Sequence, residues 1–225
     1  MRLAPENADN YYNLGRAYYA LERWSEAEAA YRETLRFKPD SANAHVSLGM
    51  TFHRQGRLKE AIASYKEAVR IKPDMAETRW NLGLSHHSAK QYSEAIAAYR
   101  EYARLKPSAA SEFQYQYNFG DALRGMGQNA QAIEAFKRAV IIKHDDSESH
   151  YGLGMAHLAS RQFEDAVKAL IRATVIKPGF VPYELALGRA YFSLGNLESA
   201  RKQYNILKTL DPKAANEFLN EIDGR

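Results

Sequence analysis

The feature that most constrains this chain is a period of 34 residues. Pro5, Pro39, Pro73 and Pro107 stand 34 apart, His144 takes the next place after a slip of three, and Pro178 and Pro212 resume the spacing. A large apolar residue before glycine keeps the same step, at Leu14-Gly15, Leu48-Gly49, Leu82-Gly83, Phe119-Gly120, Leu153-Gly154 and Leu187-Gly188. Twelve residues past each glycine comes Ala27, Ala61, Ala95, Ala132, Ala166 or Ala200, and four further on Tyr31, Tyr65, Tyr99, Phe136, Leu170 or Tyr204. A unit this short cannot enclose a core of its own. It buries its apolar side against the next copy, so a period of this length signals a solenoid.

Two amphipathic helices are legible within a unit. Tyr11, Leu14, Tyr18 and Leu21 recur at threes and fours, as one buried face requires, and Trp24, Ala27, Ala30, Tyr31 and Leu35 mark a second helix. Each proline disfavours helix in the residue before it and ends the second helix. The Asp or Ser that follows can cap the next one. A mid-helix glycine costs about 1 kcal/mol relative to Ala, which is tolerable where a partner helix must come close. Ala17, Thr51, Ser85, Ala122, Ala156 and Ala190 are small at one phase for the same reason. The turn between the two helices carries Gly56, Gly127 and Gly195 in three units and Glu22, Lys90 and Arg161 in the others.

These markers closely resemble the tetratricopeptide repeat family, whose helix–turn–helix pattern is W-x2-L-G-x2-Y, then A-x3-F, then P. The likeness covers residues 8–214. It implies an all-α fold: twelve repeat helices plus one capping helix, stacked into a right-handed superhelix. The expected units are 8–41, 42–75, 76–109, 110–146 with the three-residue insertion Ala110-Ser111-Glu112, 147–180 and 181–214. Residues 1–7 read as the remnant of a preceding repeat, because Leu3-Ala4-Pro5 matches Phe37-Lys38-Pro39. An array open at that end is expected to dock on another copy or on a missing repeat. Residues 213–225 form the cap, with Ala214, Phe218, Leu219 and Ile222 inward and Asn216, Glu217, Asn220 and Glu221 outward. The insertion predicts a longer first helix in the fourth unit.

Composition narrows the function classes. With no cysteine, neither thiol chemistry nor a disulfide is available. The net charge of +4 comes from 31 basic and 27 acidic residues, well interspersed, and does not argue for nucleic acid. No apolar run approaches the ~20 residues that span a bilayer. Ser85-His86-His87 cannot form a nucleophile–base pair, since adjacent helical residues point apart. His150 and His157 lack a third metal ligand. No cofactor, metal or catalytic constellation is expected.

In the resembled family the first helix of each repeat lines the concave surface where ligands lie. By phase that groove carries Tyr12, Arg16, Tyr19, Val46, Met50, His53, Trp80, Leu84, His87, Tyr117, Asp121, Arg124, Tyr151 and Met155, continuing to Leu158, Leu185, Arg189 and Phe192. Aromatic residues, Met and Arg dominate recognition hot spots. Asn13, Asn81 and Asn118 precede the apolar-Gly pair, and the resemblance implies an asparagine ladder gripping a peptide main chain. Gly152 and Ala186 interrupt that ladder. The carboxylate clamp of co-chaperones survives only in fragments, with Glu77 opposing it. The expectation is a non-enzymatic scaffold that holds a peptide or helix with apolar anchors and some acidic groups. The alternatives are the recognition arm of a larger enzyme, such as an O-linked glycosyltransferase, and a self-assembling scaffold.

Overall fold

The computed structural model describes the backbone of residues 5–224 and the side chains of residues 8–224, so most of the expected 1–7 remnant lies outside the described residues. Among the described residues the chain forms thirteen α-helices and one 3-10 turn, with no strand. The helices pair as α1 (Pro5–Ala20) with α2 (Trp24–Phe37), α3 (Ala42–Arg54) with α4 (Leu58–Ile71), and α5 (Ala76–Ser88) with α6 (Tyr92–Leu105). After the 3-10 turn (Pro107–Ser111) come α7 (Phe113–Gly125) with α8 (Asn129–Ile142), α9 (Ser147–Ala159) with α10 (Phe163–Ile176), and α11 (Val181–Ser193) with α12 (Leu197–Leu210). The chain ends in α13 (Pro212–Asp223).

The chain divides into two compact units, one up to Ala109 and one from Ala110. Within each, a first helix packs on its own second helix, and that second helix packs on the next first helix. Successive first helices also touch, α1 with α3 and α3 with α5 in one unit, α7 with α9 and α9 with α11 in the other. The first helices thus make the inner layer and the second helices the outer one.

The mid-helix glycines are set by close packing. A Cβ on Gly15, Gly49 or Gly83 would stand 2.6, 2.8 or 2.5 Å from the ring of Tyr31, Tyr65 or Tyr99. In the second unit Gly154 keeps this relation under Leu170, but the partners at the other two glycines shift. At Gly120 a Cβ would come no closer than 3.2 Å to any neighbour, and Phe136 lies closest to Gly152, where a Cβ would stand 2.5 Å from its ring. That close approach explains why the asparagine phase holds glycine there. Gly188 is covered by Phe218 from α13, not by Tyr204, the residue at the matching phase.

All six intra-repeat turns place one residue in the left-handed region. Gly56, Gly127 and Gly195 have φ of +73, +72 and +82°, and Glu22, Lys90 and Arg161 adopt φ of 57, 57 and 59°. Glycine takes this conformation without penalty, while the three side chains are strained there.

Several expectations are corrected. α7 has 13 residues, the same length as α3, α5, α9 and α11. The inserted residues instead extend the 3-10 turn, which is anchored by buried Ala109 and by Gln116, whose amide donates to the Ala110 carbonyl at 2.5 Å. Ser41, Asp146 and Asp211 cap their helices through side-chain oxygens, but Met75, Glu112 and Phe180 occupy the cap position of α5, α7 and α11 without a side-chain bond. On α13 the buried alanine is Ala215, one place after the expected Ala214. On α1, Leu14 is 42% and Leu21 66% exposed, so of the face read as buried only Tyr11 and Tyr18 are half-buried and the two leucines are open.

Candidate functional site

Two polar phases hold the repeats in register, and neither was recognised in the sequence. His45 and His150 bond through Nε2 to the carbonyls of Pro39 and His144, both at 3.0 Å, and Gln116 reaches Ala110 in the same way. Each spans six residues and ties the loop that enters its repeat. At the second phase His86 and His157 bond through Nδ1 to Gln91 and Gln162 at 2.7 and 2.6 Å. Tyr18 and Phe52 there stack instead under Arg23 and Arg57, at 4.6 and 4.3 Å. The recurring five-residue spacing across the turn was the signal that could have revealed this. His86, His150 and His157 are therefore structural. Among the described residues, no group of three or more His, Asp or Glu could hold a metal ion.

In the first unit the inner layer forms two clefts that share Tyr19 and Met50. A cleft of about 180 Å³ is lined by Tyr12, Arg16, Tyr19, Tyr31, Ser47 and Met50. A second of about 280 Å³ is lined by Tyr19, Met50, His53, Arg54, Tyr65, Asn81 and Leu84. Inner-layer phase brings Tyr12, Arg16 and Tyr19 to one face of α1, one helical turn apart. Ser47 donates to the Tyr12 hydroxyl at 3.4 Å, and Arg54 donates to that of Tyr19, also at 3.4 Å. Among the described residues, neither Arg16 nor Arg54 has an ion pair.

His53 introduces a contact between neighbouring repeats. Its Nδ1 lies 2.9 Å from the Ser85 hydroxyl, which itself donates to the Asn81 carbonyl at 3.0 Å. The imidazole is thus the donor to Ser85, and the hydroxyl proton is already committed. Ser85 is fully buried, so this serine–histidine pair is a structural tie, not an activated nucleophile. Burial holds the His53 pKa below its ordinary 6.5, with nearby Arg54 pushing the same way.

The remaining groove residues are placed as follows. Val46 packs beside the core formed by Tyr31, Leu48 and Phe52. Trp80 is half-buried against Tyr99 and Tyr102, at 5.1 and 5.3 Å between ring centroids. His87 lies 5.7 Å from the Tyr92 ring. Asn13 is exposed, whereas Asn118 donates to Gln114 of its own helix at 2.8 Å. That amide proton is not offered to a ligand. In the second unit Tyr117 donates to Glu148 at 3.0 Å, and burial, then that carboxylate, raises its pKa. Tyr151 stacks on Tyr183 at 4.9 Å, and with Met155 and Leu158 it packs beside the core formed by Val167, Leu170 and Leu187. The groove arginines of this unit are paired. Arg124 binds Asp121 at 2.5 Å, and Arg189 binds Glu221 of α13. A carboxylate within reach of each guanidinium makes these pairs, and the one from the cap could not be placed by phase.

No helix of the described residues is long and apolar enough to cross a membrane. The tetratricopeptide repeat family model matches residues 12–76, 117–182 and 151–215, and a second tetratricopeptide repeat model matches residues 52–115. No curated protein matches the chain. Among solved structures it is similar to Pseudomonas aeruginosa PilF, with 22% identity and a TM-score of 0.72 over 96% of this chain and 98% of that one. PilW, a type IV pilus biogenesis factor, shares 19% identity with a TM-score of 0.74, covering 94% of this chain and 98% of its own. YrrB, a repeat protein described as having an unusual peptide-binding site, shares 19% with a TM-score of 0.71, covering 84% and 96%. With family models spanning both units and the same fold in these neighbours, the chain belongs to the tetratricopeptide repeat family.

Proposed function

We propose that this protein is a non-catalytic scaffold that holds an extended peptide or helix of another protein on its inner layer. The observation that carries this reading is the pair of adjoining clefts in the first unit, with apolar and aromatic walls and with Arg16 and Arg54 unpaired among the described residues. Apolar anchors of the ligand fill the clefts beside Tyr12, Tyr19, Met50 and Leu84. Its carboxylates meet the two arginines, and Asn81 contacts its main chain. The inner layer of the second unit carries Tyr117, Tyr151 and Met155 but, among the described residues, no unpaired arginine, because Arg124 and Arg189 are neutralised. Selection of a random peptide library on the full chain tests this. Enriched sequences should combine acidic and large apolar residues and should lose binding to Arg16→Glu/Arg54→Glu. Enrichment of basic or featureless sequences, or binding indifferent to both changes, would refute the reading.

A second reading, self-association through α1, is favoured by the exposure of Leu14, Ala17 and Leu21. Leu48 and Leu82, at the phase of Leu14, are buried. Light scattering across a dilution series should then report a mass that falls on dilution, and Leu14→Asp/Leu21→Asp should give monomer throughout.

A further inference from the structure

The outer helices of the two units differ at two phases of the repeat. In the first unit each ends in a glutamate and an arginine three residues apart, Glu33 with Arg36, Glu67 with Arg70 and Glu101 with Arg104, paired at 2.9, 2.9 and 3.0 Å. In the second unit the same phases read Arg138 with Ile141 on α8 and Arg172 with Val175 on α10. The neutral ion pair has become a cation beside an aliphatic side chain, twice in succession. Arg138 and Arg172 have no ion pair among the described residues. Ile141 is 79% and Val175 60% exposed. A lysine, Lys143 or Lys177, follows each aliphatic residue by two positions, as Lys38, Lys72 and Lys106 follow the arginines of the first unit, and Lys143 is paired with Asp146 at 3.2 Å.

We infer that this outer face of the second unit docks on an anionic lipid surface. Ile141 and Val175 share a phase on successive outer helices, so within the unit they project on the same side. Arg138 and Arg172 border clefts of about 470 and 380 Å³, but neither Ile141 nor Val175 is among the residues that line them, so those clefts give the aliphatic tips no concave seat. A bilayer interface accepts separate apolar tips wherever they fall, and its anionic headgroups complement Arg138, Arg172 and Lys177. Single exposed aliphatics are ordinary on a protein surface. Here they recur in step with the repeat, and each replaces an arginine of the first unit while a cation replaces that arginine's glutamate.

The test is co-sedimentation of the full chain with phosphatidylcholine vesicles, with and without about one third phosphatidylglycerol, at low and raised salt. The expected result is binding to the anionic vesicles only, weakened by salt and reduced about tenfold or more by Arg138→Glu/Arg172→Glu. The control is Arg36→Glu/Arg70→Glu, which changes net charge equally and should retain most of the binding. Ile141→Ser/Val175→Ser, at exposed positions that leave the fold intact by circular dichroism, should also weaken binding severalfold. No binding to anionic vesicles overturns the inference, including the case in which these same variants lose a protein partner instead. Equal losses in both arginine pairs overturn it too, as does full binding by the serine variant, since either reduces the effect to bulk charge.

Discussion

In the first unit Tyr31, Tyr65 and Tyr99 each lie over the glycine of their own repeat, whereas in the second Leu170 alone keeps that relation, over Gly154, while Phe136 lies closest to Gly152 and Phe218 covers Gly188. One unit solves its packing by strict repetition, the other repeat by repeat. The functional consequence follows the same division. Among the described residues the regular unit leaves Arg16 and Arg54 without a carboxylate partner beside two inner clefts, while the irregular one pairs Arg124 with Asp121 and Arg189 with Glu221 of its last helix. Repeat phase therefore fixes where a side chain sits, but its neighbours decide whether it is free to bind.

The largest test of this contrast is at the end of the second unit. Phe218 is fully buried against Gly188, so Phe218→Ala should cost about 3–5 kcal/mol. Tyr204→Ala, at the half-buried position that phase equates with Tyr99, should cost clearly less in the same denaturation experiment. Similar losses would mean that the cap has not taken over the tyrosine's role.

Alanine at the mid-helix glycines separates the units next. Gly83→Ala drives a methyl to 2.5 Å from the Tyr99 ring and should destabilise by about 1–3 kcal/mol, even after the gain in helix propensity. Gly120→Ala meets nothing nearer than 3.2 Å and should fall within about 1 kcal/mol of wild type. A smaller effect is expected in the turns. Lys90→Gly relieves a left-handed side chain and should stabilise by roughly 0.5–1 kcal/mol, whereas Gly127→Ala should lose about 1 kcal/mol.

The smallest effect is pH-dependent and belongs to the first unit. Burial holds His53 below its ordinary pKa of 6.5, so the unfolded chain takes up this proton more readily than the folded one. The stability tied to neutral His53 is present above about 6.5 and is lost as pH falls through that value toward the folded pKa. His53→Gln should flatten the acid limb of a plot of melting temperature against pH, and an unchanged slope would assign that limb to other groups.

The architecture was legible because the 34-residue period, the prolines and the Leu-Gly pairs all point to one packing solution. The sequence also marked the six turn positions, and the structure assigns all of them one left-handed conformation despite their mixed chemistry. What periodicity could not supply were events that break it. The insertion after Pro107 tightened into a 3-10 turn because Gln116 could hold the Ala110 carbonyl. Arg189 found its carboxylate on a helix outside the repeat. Asn118 turned its amide onto its own helix, which a shared phase with Asn81 does not disclose. The histidines were similarly opaque, since their partners five and six residues away become neighbours only once a turn or loop folds back.

The most direct measurement is the affinity of a library-selected peptide for four versions of the full chain: wild type, Arg16→Glu/Arg54→Glu, Leu84→Asp and Arg36→Glu/Arg70→Glu. The two inner-layer variants should weaken binding about tenfold or more, as loss of an anchoring contact does, while the outer pair leaves it within about twofold. Undiminished affinity in both inner-layer variants, or an equal loss in the outer pair, would contradict the assignment of the ligand to the inner clefts.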